Sequence, residues 1–167
     1  MPLPDDFDGS EWTSKTARTI MPWLIWSAKN HRTLCYSDLD AEIVRRGIHH
    51  HVNFVMYGHP AGRVGNALLE IASVFGSEIP PLNSLVVKKT GKEAGLPGDG
   101  CDWYLQKFLK KKVNSSKLTI EDKRAITLEV HAAVFAFDRW DDVQNYFADV
   151  VRRYPELMGT SNNSAAD

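Results

Sequence analysis

The chain has 167 residues, 43% of them apolar and 25% charged, which suits one soluble domain with its own core. Formal net charge is −1, so the molecule is no polycation, and any attraction to phosphate must come from local asymmetry. Two cysteines far apart, Cys35 and Cys101, do not make a disulfide framework, and no apolar run approaches the roughly 20 residues that span a membrane.

Residues 1–10 read as a flexible, acidic, proline-containing leader without the basic-then-apolar pattern of a signal peptide, so the chain reads as cytoplasmic. Residues 11–21 predict a short helix. Pro22 then fits the first turn of a new segment better than a helix interior, and Trp23 to about Asn30 is apolar. Leu34-Cys35-Tyr36 is strand-like. Ser37 is a good N-cap for a helix through Arg46, with Asp38 and Asp40 in its first turn and Gly47 at its end.

Residues 48–62 look irregular and carry His49, His50, His51 and His59. A helix from about Arg63 to Phe75 follows, because Val64, Leu68, Ile71 and Phe75 recur at three- and four-residue spacing; Gly76 caps it. Leu82 to Val87 predicts a strand, and the glycine-rich stretch Lys88 to Gly100 predicts a basic β-wing. Thr119-x-x-Asp122 resembles a capping box for a helix to about Phe137. Asp138 to Asp142 reads as the cap and first turn of a last helix with the stripe Val143, Phe147, Val150, Tyr154. The expected fold class is α+β, mostly helical: a winged-helix-like core with a basic β-wing and additional C-terminal helices, over residues 11–157. Residues 158–167 would be a disordered tail. The C-terminal helices either cover the scaffold or form a dimer interface.

From about residue 23 to 104 the order of elements and several short motifs resemble the C-terminal domain of the DNA alkyltransferases and alkyltransferase-like proteins. Tyr36-Ser37-Asp38-Leu39 is similar to that family's Tyr-Gly-x-hydrophobic turn. Arg63-Val64-Gly65-Asn66-Ala67-Leu68 is similar to its Arg-Ala-Val-Gly-x-Ala helix start. Ile79-Pro80-Pro81 and Leu85-Val86-Val87 look like its Ile-Pro-Cys-His-Arg-Val-Val stretch without the reactive Cys-His pair. The resemblance implies a winged-helix scaffold and DNA binding, and the missing pair argues against alkyl transfer. It also places Tyr36 where the family holds a tyrosine against the target nucleotide, able to stack or wedge.

The nucleic-acid-binding candidates are therefore Tyr36, Arg63 and Asn66 with the wing lysines Lys88, Lys89 and Lys92. Arg63 would sit at the N-terminus of a recognition helix, whose end adds positive potential. Between Lys88 and Lys117 there are eight lysines and three acids, a local excess of five positive charges suited to phosphate. Each candidate also has a plain alternative: a surface arginine, a solvated lysine face, a core tyrosine.

Of the histidines, His49, His51 and His59 are the metal-ligand candidates. Their spacing matches no closed site and no carboxylate completes it nearby, so no metal and no cofactor is expected. A loop that becomes positive below about pH 6.5 is the more economical use of them. No phosphate-binding glycine loop, nucleophile elbow or Cys-x-x-Cys pair occurs. The leading expectation is a non-enzymatic protein that binds double-stranded DNA. A protein-binding inhibitor or immunity protein, and a metal-dependent nuclease using the histidine loop, are the alternatives.

Overall fold

Amphipathic helices supply most of the order. The computed structural model describes residues 11–153, with side chains through residue 149, and contains six α-helices and a two-stranded sheet. The expected leader and tail, and the stripe positions Val150 and Tyr154, lie outside what is described at that level.

Helix α1, Trp12–Lys29, is one continuous element rather than two. Pro22 lies in its interior, against expectation. Its ring is on the exposed side, while Ala17, Ile20, Met21, Leu24, Ile25 and Ala28 on the other side are buried. A proline interior to a helix costs about 3 kcal/mol. Fully burying a single large aliphatic side chain contributes about 1.5–3 kcal/mol, so the buried stripe outweighs the lost backbone bond.

Strand β1, Leu34–Cys35, pairs in parallel with β2, Val86–Val87, in the register Leu34↔Val86 and Cys35↔Val87. Helix α2, Tyr36–Arg45, begins before the expected Ser37 cap. Cys35 holds the cap position without a side-chain bond, and the buried Ser37 Oγ has no partner. Gly47, at φ +66°, ends the helix in the left-handed turn that glycine tolerates best.

The segment expected to be irregular is more ordered. A 3₁₀ turn, Phe54–Tyr57, leads directly into helix α3, Gly58–Phe75. That helix starts five residues before Arg63. Pro60 fits its first turn, where the missing N–H would have no helical partner. Val64, Leu68 and Ile71 are buried as the spacing predicts, and Gly76 closes the helix at φ +62°. Helix α3 packs most extensively against α1.

Only the last two residues of the predicted strand 82–87 are extended; Leu82–Leu85 is a buried 3₁₀ turn. The predicted wing is not a β-hairpin either. Its ladder is a single bridge, Val87 to Pro97, with Lys88 N–H donating to Leu96 at 2.9 Å and Gly95 N–H to Lys88 at 2.8 Å. Glu93 turns back to pair with Lys88 and with Lys123 (2.5 Å), and Arg124 donates to the carbonyls of Lys92 (2.9 Å) and Ala94 (3.1 Å). These contacts fold the loop down instead of leaving two strands to extend.

Helix α4, Asp102–Leu109, follows the loop, then α5, Ile120–Ala136, and α6, Trp140–Arg153. Thr119 caps α5, its hydroxyl accepting from Asp122 N–H at 3.1 Å. Asp141 and Asp142 sit in the first turn of α6 as expected. Helix α5 packs on residues 82–85 and on α1, and α6 packs on α1, burying Val130, Val134, Val143 and Phe147. Within the chain the last two helices thus cover the scaffold. Trp140 is 2% exposed and donates through Nε1 to the Val134 carbonyl. Trp26 and Trp103 are about half exposed, each with a cation over its ring: Arg32 and Lys107. Among the described residues no helix is long and apolar enough to cross a membrane.

Candidate functional site

Helix α3 has two faces with different tasks. Val64, Leu68 and Ile71 point into the core. His59, Arg63 and Asn66, at the four- and three-residue spacing of one helical face, look the other way into an open cleft of about 1240 Å³. The start of α2 contributes Tyr36 to this cleft, the segment after β2 contributes Lys88 and Lys89, and α4 contributes Tyr104. Five of the six predicted contact residues thus line one concavity: Tyr36, Arg63, Asn66, Lys88 and Lys89. Lys92 does not line it; it is exposed on the far part of the folded loop.

Arg63 is in the second turn of α3, not at the helix N-terminus, because the helix starts at Gly58. Its guanidinium lies 3.2 Å from the Glu11 carboxylate. Lys89 pairs with Asp38 at 3.0 Å, with both side chains more than half exposed. Such exposed pairs contribute little and exchange readily for another anion. Lys88 is held more firmly, since Glu93 bridges it to Lys123; the two ammonium groups hold the Glu93 carboxyl down at about 2.

Tyr36 is half-buried and serves the frame as well as the cleft. Its hydroxyl accepts from Gly98 N–H at 3.2 Å, and burial pushes its pKa up against the effect of that bond. Any Cβ at residue 98 would stand 3.0 Å from the phenol oxygen, so glycine is what lets the loop seat there. On the opposite wall the Tyr104 hydroxyl lies 2.8 Å from the Gly62 carbonyl and 2.6 Å from Asn66 Oδ1. Gly65 lets α4 come this close: a Cβ there would be 2.6 Å from the Tyr104 ring and 2.9 Å from Asn83.

The histidines do not converge. His49 stacks on His50, with ring centroids 4.0 Å apart, and His51 pairs through Nδ1 with Asp40. His59 alone of the four reaches the cleft. Among the described residues no group of three His, Cys, Asp or Glu side chains is placed to hold a metal ion. His31 stacks on Phe135 of α5.

Neither thiol is set up as a nucleophile. Burial, then Asp38, raises the pKa of Cys35, and burial pushes Cys101 up to about 12. Both effects oppose the thiolate.

Several residues of the site carried little signal in the sequence. Asn83 is buried under the cleft, and its Oδ1 has no partner. Two adjacent polar residues inside the run Leu82-Asn83-Ser84-Leu85 are the available clue. Asp40 looked like a helix first-turn carboxylate, but it is 4% exposed and accepts from Tyr57 O–H (2.7 Å) and Val52 N–H (3.1 Å) as well as pairing with His51. It anchors the 3₁₀ turn at the cleft rim.

Compared with known proteins, the chain matches no family model, no curated protein and no solved structure.

Proposed function

We propose that this is a non-enzymatic DNA-binding protein that receives the phosphate backbone of a duplex in the cleft beside α3. One observation carries the reading. Residues from three distant stretches, Tyr36, Arg63 to Asn66, and Lys88 to Lys89, meet in one concavity with cationic groups on two walls. Phosphate contacts of this kind position a protein on DNA, and base edges read by an exposed helix face add preference. Asn66 and His59 on α3 are the side chains available for that second task. The absent wing hairpin changes the geometry: Lys88 and Lys89 act from beside β2, not from an extended arm.

The distribution of charge along the chain favours the same reading. All twenty lysines and arginines lie within residues 11–153, whereas five of the 21 acids lie outside them, so this body carries a formal +4. The near-neutral total hides a cationic domain.

The test is fluorescence anisotropy of a labelled duplex over a salt series. With Arg63, Lys88 and Lys89 on phosphates, log affinity should fall against log salt with a slope of about −2 to −4. Lys89→Glu and Arg63→Glu should each weaken binding at least about tenfold, while Lys117→Glu, which does not line the cleft, should have a much smaller effect. Equal losses from all three variants would refute the cleft as the site.

A further inference from the structure

Beside the cationic wall stands an apolar one. Phe54, Val55 and Met56, successive residues of the 3₁₀ turn, are 43%, 78% and 44% exposed. Large apolar side chains exposed singly are ordinary, but three in a row on one turn are not.

The turn is built to hold them out. Asn53 Oδ1 accepts from Val55 N–H at 3.1 Å and caps it. The next residue, Tyr57, is fully buried, with its hydroxyl on Asp40 and its ring edge-on to Trp12 at 5.6 Å. Asp40 also accepts from Val52 N–H, so both ends of the turn are fixed to the same carboxylate on α2. The tip cannot fold its apolar groups inward without breaking these contacts.

Its position selects the partner. Phe54 and Val55 line the rim of the cleft, and His59 and Arg63 follow on the next two turns of chain. A ligand covering both must be anionic along one edge and apolar and stackable along the other. A duplex has that combination, phosphates outside and bases within. Apolar side chains set beside phosphate-binding cations act on duplexes by entering a base step and partly unstacking it.

We infer that the Phe54-Val55-Met56 tip is a wedge that enters a base step of the duplex held by the cleft. The inference rests on the DNA-binding reading and deepens it. It makes the preferred target a duplex that is easily unstacked, at pyrimidine–purine steps, at a mismatch or at a nick.

The experiment uses the full chain and a set of duplexes carrying 2-aminopurine at successive positions around a central TA step or mismatch. Bound wild-type protein should raise the fluorescence at one or two adjacent positions several-fold, reporting unstacking. Phe54→Ser and Val55→Ser, at exposed positions that leave the core intact, should abolish that rise. They should also weaken binding to the mismatched duplex by about tenfold and leave the salt slope unchanged. Duplex binding with no fluorescence change at any position would overturn the wedge and leave the cleft standing. No duplex binding at low salt would overturn both. Binding to phosphatidylserine vesicles that is lost in the two variants, with duplex binding intact, would reassign the tip to a lipid surface and overturn the wedge.

Discussion

Asp40 ties the sequence-distant loop to α2 through the Tyr57 hydroxyl, the Val52 amide and His51. Burial alone would raise its pKa, but these hydrogen bonds together outweigh burial and lower it below its ordinary 3.8. The folded state therefore favours the charged carboxylate. Its contribution to stability is fully present above the ordinary value and is lost as pH falls through the lowered one. Tyr57→Phe removes one donor and should destabilise the protein by about 1–3 kcal/mol. It should also move the midpoint of acid unfolding, followed by circular dichroism, to higher pH; an unchanged midpoint would show that the phenol does not hold the carboxylate. Gly65 makes a second residue-scale prediction. Gly65→Ala puts a methyl 2.6 Å from the Tyr104 ring, and overpacking of this kind costs typically about 1–3 kcal/mol, measurable by urea denaturation. The motif around Arg63 marks this stretch of sequence but not the packing role of its glycine, because the partner, Tyr104, lies 39 positions away. The same limit hid Asp40, whose three partners come from the irregular-looking stretch 48–62.

Elements were legible where a repeating apolar pattern dictated them. The stripe of α3, the cap of α5 at Thr119 and the acidic first turn of α6 follow from spacing and capping chemistry. Element boundaries failed where tertiary contacts overrode local preference. Pro22 remained inside α1 because the buried stripe runs through it, and α3 began early because Tyr57 is pinned in the core. Pro22→Ala should restore a backbone bond on the exposed side and stabilise the protein by roughly 1–3 kcal/mol, read by chemical denaturation. The wing failed for an electrostatic reason: Glu93 folds the loop onto Lys88 and Lys123. Glu93→Gln removes that clamp and releases Lys88 at the cleft. Tighter duplex binding with a steeper salt slope is expected, and weaker binding would mean that the folded loop is itself part of the interface.

On the scale of the whole molecule, a mostly helical body closes α5 and α6 over one side and leaves the cleft open on another. The sequence pointed to the residues of that cleft but not to the cleft, since convergence depends on the parallel pairing of β1 with β2, two residues each. No periodicity announces so short a pairing. It is nonetheless what brings Tyr36 and Lys88 beside one another at the mouth of α3. The most direct measurement is amide chemical-shift mapping of the isotope-labelled protein titrated with a short duplex. The largest changes should cluster at residues 36–38, 54–66, 88–90 and 98–100. Changes confined to α5 and α6, or none at saturating duplex, would contradict binding in the cleft.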